Sequence, residues 1–132
     1  MRRALRVIFY LEALINCISI VQYLFLGDVG VRALGITDPN PFIVEGFRAF
    51  GVLVLVLTYV LLRTLISNEE RALRFVLEGY LLGDFVYIWA LWQLIQKLDG
   101  VWTPTSIAAV VISVILMVAR ITYLWMFRAK AT

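Results

Sequence analysis

The sequence predicts an all-α fold: an integral membrane four-helix bundle, one domain over residues 1–132, with the N and C termini cytoplasmic. Three observations predict it. Of the 132 residues, 63% are hydrophobic and 16% charged, too little charge to cover the surface of a soluble domain of that size. Four apolar runs are each long enough to cross about 30 Å of hydrocarbon, which takes roughly 20 helical residues. The basic residues gather at the ends of those runs, mostly on one side. The net charge of +3 is modest and spread over several short clusters, which speaks against nucleic acid as a partner.

The runs are read as helices because a backbone in lipid must satisfy its own hydrogen bonds. The first spans about residues 4–26. It follows Met1-Arg2-Arg3, as a signal peptide would, but its length and Glu12 predict a retained helix. The second spans about 41–66, with Asn40 as N-cap and Pro41 at the first helical position. The third spans about 68–96. Ser67-Asn68-Glu69-Glu70 matches a capping box, with Ser67 as cap and Glu70 reaching back. The fourth spans about 104–127, where Thr103-Pro104 repeats the cap-proline device. These signals place helix starts at 41, 68 and 104.

Orientation follows from lysine and arginine. Arg2, Arg3, Arg6, Arg63, Arg71, Arg74, Arg128 and Lys130 fall on one side; Arg32, Arg48 and Lys97 fall on the other. The bias places both termini and the short second loop in the cytoplasm, in the plasma (inner) membrane. The longer first loop, residues 27–40, then lies outside. Its Val29, Val31, Leu34 and Ile36 predict a segment lying on the membrane surface. Trp89, Trp92 and Trp102 near the outer end and Trp125 near the inner end suit an aromatic belt.

Histidine is absent and there is one cysteine, Cys17. The chain therefore offers no histidine ligand to haem, chlorophyll or zinc and no internal disulfide. No metal site is expected and no cofactor of its own. Cys17 reads as a small buried apolar residue.

Polar residues at membrane depth are the candidates for function, because they are costly there. In the first helix Glu12, Asn16, Ser19 and Tyr23 share one face, being four, three and four apart. Ser106, Ser113, Arg120 and Tyr123 share a face of the fourth. The third carries Glu78, Asp84 and Tyr87. At 1.5 Å per residue, Glu12 lies about 9 Å past Arg6, Arg120 about 12 Å inside Arg128, and Glu78 about 6 Å past Arg74. Asp84 lies about 15 Å past Arg74, near mid-membrane.

This layering predicts that Arg120 pairs with Glu12, Glu78 or both, since an unpaired buried charge is expensive. Asp84 has no obvious basic partner at its depth and reads as a neutral, protonated acid. Two readings of the set Glu12, Asn16, Glu78, Asp84 and Arg120 stand side by side. Either they fasten the helices together, or they line a site for a ligand, proton or substrate. Gly79 and Gly83 form a small-xxx-small pair that predicts close helix packing, within the bundle or with a partner. Glu45 and Arg48, three apart, predict a local ion pair.

Two segments add a family resemblance. Ala33-Leu34-Gly35-Ile36-Thr37-Asp38-Pro39 is followed by Glu45-Gly46-Phe47-Arg48-Ala49-Phe50-Gly51 at the start of the second helix. With the basic start of the first helix, this pattern resembles the DoxX-like small four-helix membrane proteins over most of the chain. The resemblance implies a four-helix fold. Some relatives are similar to subunits of quinone-linked sulfur oxidation systems. Arg48 and Gly51 match the group's pattern, and no catalytic residue carries over.

Three functions are compatible with these features. One is a non-catalytic accessory or interaction subunit of a larger membrane complex, redox or photosynthetic. It follows from small size and the lack of cofactor ligands, with the lipid bilayer and other membrane subunits as partners. A second is an enzyme for acid–base isomerisation or cyclisation of a hydrophobic prenyl-type substrate. There Asp84, Glu78 and Glu12 would handle protons and Asn16 would orient the substrate. A third is a carrier or sensor of a lipid or quinone, with a hydrophobic small molecule as ligand.

Overall fold

The computed structural model describes residues 2–98 and 100–128, which are helical with short connections. The elements are α1 (Arg2–Phe25), α2 (Gly27–Ala33), α3 (Pro41–Ser67), α4 (Glu70–Lys97) and α5 (Pro104–Arg128). All except α2 are long and apolar enough to cross a membrane. Packing of α1 on α3, α3 on α4, α4 on α5 and α5 on α1 closes a ring, and α2 lies against α1 and α3. One end of the ring, the basic end, holds Arg3, Arg6, Arg63, Arg71 and Arg74. The other, the loop end, holds α2 and residues 100–103. The side chains of Arg2 and Arg128, and all of Lys130, fall outside the described residues.

Helix starts follow local chemistry. Asn40 Oδ1 accepts from the Ile43 backbone N–H at 3.0 Å, and Pro41 occupies the first turn, where an N–H would go unused. At α5 the cap is reciprocal: Thr103 Oγ1 accepts from Ser106 N at 3.1 Å, and Ser106 Oγ accepts from Thr103 N at 2.8 Å. This is the capping-box arrangement. It does not occur at Ser67–Glu70, where the sequence pattern predicts one. There α3 runs on to Ser67, whose hydroxyl donates back to the Thr64 carbonyl at 3.2 Å. Asn68 ends the helix in the left-handed region, with φ 56°, and α4 starts at Glu70 with no side-chain cap. Arg6 explains the difference. Its Nη1 donates to Asn68 Oδ1 at 2.6 Å, so α1 holds the α3–α4 turn and Asn68 serves as a C-terminal stop rather than a first helical residue.

The loop end is folded inward. Val31, Leu34 and Ile36 are buried. The segment expected to lie on the membrane surface therefore packs into the protein, and of its four residues only Val29 faces out. Val101 N donates to the Gly35 carbonyl at 2.8 Å, and Thr103 Oγ1 donates to the Ala33 carbonyl. Gly35 has φ +106°, and a Cβ there would run into the Val101 carbonyl. Gly51 meets a second close approach: a Cβ would come within 3.0 Å of Tyr23, so a glycine lets α1 and α3 touch.

The remaining surface is apolar. Leu14, Ile18, Leu53, Val56, Val111 and Val118 are exposed, as are all four tryptophans. So large an apolar surface suits contact with lipid. Cys17 is exposed on the same surface; in a lipid-facing chain an apolar residue need not be a buried one. The packed interior sits at the basic end, where Phe9, Leu61, Leu65, Leu73, Leu77 and Tyr123 form one cluster. Phe9 and Tyr123 meet edge to face at 5.6 Å.

Gly35→Ala is expected to lower the thermal midpoint of the detergent-solubilised protein, with about 1–3 kcal/mol from the backbone conformation alone. Gly79→Ala, which meets open space, is expected to leave it within about 0.5 kcal/mol. Equal midpoints for the two variants would contradict the packed loop end.

Candidate functional site

Just above the apolar cluster, three charged side chains meet. Arg120 of α5 is fully buried. Its Nη2 donates to Glu12 Oε1 of α1 and its Nη1 to Asp84 Oδ2 of α4. The guanidinium carbon also sits 5.1 Å from the centroid of the Tyr80 ring, within cation–π range. One guanidinium thus joins three helices. Its planar fork suits this, because separate N–H groups can address separate carboxylates.

Glu78 is not part of this layer. Its carboxylate accepts from Arg74 Nε at 2.9 Å, one turn away, on a partly exposed surface. Helical geometry gives the reason. Six residues at 100° each put Glu78 well away from the Asp84 face, whereas Tyr80 and Tyr87, four before and three after, share it. Asp84 in turn is not the unpartnered acid its depth suggests. Backbone rise places it within about one turn of Arg120, and the arginine side chain spans that gap. The Glu45–Arg48 pair forms at 2.5 Å near the start of α3, exposed. A Cβ added at Gly79 or Gly83 would meet no neighbouring element within 4 Å, so neither glycine is needed for close packing inside the ring.

Above the charged layer the helices leave a cavity of about 180 Å³. Glu12, Asn16, Ser19 and Tyr23 line it from α1, Asp84 with Tyr80 and Tyr87 from α4, and Ser113 from α5. The face that spacing predicts on α1 is therefore the cavity wall. Ser106 lies apart, used in the α5 cap, and Tyr123 lies below, in the apolar cluster. Glu12 is 3% exposed. Its second oxygen, Oε2, is buried without a hydrogen-bond partner among the described residues. A buried carboxylate oxygen left unmatched is costly. Arg120 Nε is also buried without a partner among the described residues.

Aromatic rings close the upper part of the cavity. Phe50 and Tyr87 stack at 6.3 Å with planes 6° apart, and Tyr23 leans on Phe50 at 5.6 Å. Beyond this wall lies a second, apolar pocket of about 340 Å³ between α3, α4 and the loop end, with Leu34, Phe47 and Leu91 in its lining. Phe50 and Tyr87 belong to both spaces. Ile15, Phe50 and Leu57 line the cavity and are also exposed on the outer surface, so its rim meets the surrounding lipid. Phe50 and Tyr80 escape a search for charges in the sequence. The signal that finds Tyr80 is its four-residue spacing from Asp84.

Arg120→Met removes the cation from between the buried Glu12 carboxylate and the part-buried Asp84 carboxylate. The expected cost is about 3–5 kcal/mol, as for breaking a buried pair from one side, read as loss of folded protein in detergent. Replacing all three groups together (Glu12→Gln, Asp84→Asn, Arg120→Met) is expected to recover most of that loss, since no charge is stranded. Glu78→Gln, at the exposed pair, is expected to cost at most about 1 kcal/mol. A Glu78→Gln loss as large as that of Arg120→Met would contradict this assignment.

The chain matches no protein-family model, no curated protein and no solved structure.

Proposed function

We propose that this chain is a multipass membrane protein that holds a small hydrophobic molecule between its helices, as a carrier or sensor of a lipid- or quinone-like compound. The single observation behind this is the cavity above Arg120, with polar groups at its base and aromatic rings at its top. Ligand sites are concave, mostly apolar and carry a few convergent polar groups. The exposed rim residues favour entry from the lipid. We place the four long helices across the plasma membrane as a bundle with the basic end cytoplasmic. Arg3, Arg6, Arg63, Arg71 and Arg74 against Arg32, Arg48 and Lys97 support that orientation. The resemblance to DoxX-like proteins, some with relatives in quinone-linked systems, points the same way.

The enzyme reading has less support. Of its proposed proton donors, Glu78 sits outside the cavity, and Asp84 and Glu12 are both engaged by Arg120. The reading as an accessory subunit keeps one specific observation. Gly79 and Gly83 are exposed with open space beside them, next to exposed Leu82, Phe85 and Val86. A second membrane helix would fit against such a surface. Under that reading, Gly83→Ile would abolish co-purification of a partner subunit without lowering the chain's own thermal midpoint.

The binding reading is tested with the full chain in lipid nanodiscs and decylubiquinone or 1-octanol as probe. A ligand that binds the folded state raises the thermal midpoint, by about 2.7 kcal/mol of stability at a hundredfold excess over Kd. Wild type is expected to be stabilised, and Ala109→Phe, which fills the cavity from α5, is expected to lose the effect. Equal stabilisation of both proteins would place the binding elsewhere and contradict the proposal.

A further inference from the structure

The charges in the layer do not cancel. Glu12 and Asp84 meet a single guanidinium. Two other ion pairs on the long helices, Arg74–Glu78 and Glu45–Arg48, are closed between their own partners. With both carboxylates ionised, the layer carries one negative charge too many. At membrane depth such an excess is expensive unless a proton or a cation balances it.

The place where the balancing charge would sit is defined by geometry. Glu12 Oε1 is occupied by Arg120, while Oε2, on a side chain that lines the cavity, is buried and unpartnered among the described residues. Among the described residues, no basic one lines the cavity. Its walls include Tyr23, Phe50, Tyr80 and Tyr87, and the faces of such rings attract cations. The hydroxyls and the amide in the lining can donate to an anion, but no positive charge there would balance it. At the exposed rim, beside Ile15 and Leu57, a hydrocarbon tail has an outlet to the surrounding lipid.

We propose that the cavity takes a hydrophobic cation, an ammonium group on an apolar body, in exchange for a proton at Glu12. This rests on the reading of the cavity as a small-molecule site. In the exchange the O–H bond of the Glu12 carboxyl breaks, the proton leaves to water, and the cationic head pairs with the carboxylate. Nothing is oxidised or reduced. The groups facing Glu12 are Arg120 on α5 and Tyr80 and Asp84 on α4, with Tyr23 and Tyr87 higher in the same cavity. The lining of α3, Phe50, Val54 and Leu57, has no titratable group. Asp28 and Arg32 of α2 pair with each other at 3.9 Å at the loop end.

The sign of the pH dependence follows. Protons compete with the cation for Glu12, so the cation binds more tightly as pH rises. One proton released per cation bound gives about a tenfold gain per pH unit while Glu12 remains protonated in the empty site. A neutral molecule of the same size shows no such slope.

The experiment compares three probes of equal tail length, octyltrimethylammonium, 1-octanol and octanoate, on the full chain in nanodiscs of uncharged lipid between pH 5 and 9. Binding and proton release are read by calorimetry in two buffers of different ionisation enthalpy. The expected result is a Kd for the ammonium at least tenfold lower than for octanol at the upper pH. Octanoate should bind weakest, and about one proton should be released per ammonium bound. Glu12→Gln is expected to erase the pH slope and the preference for the cation while still binding octanol. Because the charge series is measured on the unaltered protein, the result stands even if that variant does not fold. Octanol or octanoate binding as tightly as the ammonium, or ammonium binding without proton release, would overturn the cation proposal and leave the small-molecule site intact. Failure of all three probes to bind would overturn the cation proposal, and failure of decylubiquinone as well would overturn the small-molecule site.

Discussion

Arg120 is a buried cation that two helices must answer. A guanidinium within the apolar part of a membrane chain is tolerated only when its N–H groups are matched. Glu12 and Asp84 supply that match. The consequence is architectural: α1, α4 and α5 are held at one level, and the rest of the packing is arranged on either side of that level. Apolar packing between lipid-facing helices has no water-driven force behind it, so a charged layer of this kind specifies which helices meet and where.

Below the layer the interior is filled by leucines and aromatic rings. Above it the helices part, and the space is bordered by hydroxyls, an amide and stacked rings. The difference follows from residue size and chemistry. Leu61, Leu65, Leu73 and Leu77 close the basic end, whereas the α1 positions one and two turns above Glu12 are Asn16 and Ser19, and small Ala109 faces them from α5. The loop end is shut independently, by Gly35, Val101 and the Thr103 cap. Rimmed by exposed Ile15 and Leu57, the cavity communicates sideways with the lipid.

Much of this was legible in the residues. Apolar runs locate the four long helices to within a few positions, and Asn40 and Thr103 mark two starts because a cap is a local device. Ser67–Glu70 misleads for the converse reason: the pattern is right, but Arg6, distant in the chain, makes Asn68 a stop. Val31, Leu34 and Ile36 are invisible as buried residues, since hydrophobicity does not distinguish a lipid contact from a protein one. Cys17 fails in the opposite sense. In the site, Glu12 and Arg120 follow from cost and depth. Choosing Asp84 over Glu78 needs helical angle as well as depth, and the Tyr80–Asp84–Tyr87 spacing carries that angle. The cavity depends on what four helices leave unfilled, which no single segment encodes.

The central claim is that Arg120 binds both Glu12 and Asp84 within the membrane and leaves one buried Glu12 oxygen unmatched among the described residues. Solid-state NMR of the full chain in lipid bilayers tests it most directly. Arginine guanidinium 15N would be read against carboxyl 13C through their dipolar coupling, with assignment by Glu12→Gln and Asp84→Asn. The account predicts that the Arg120 nitrogens couple to two carboxyl carbons at ion-pair distance, with N···O within about 4 Å, and that each variant removes one of them. Coupling to the Glu78 carboxyl, or to no carboxyl at all, would contradict it.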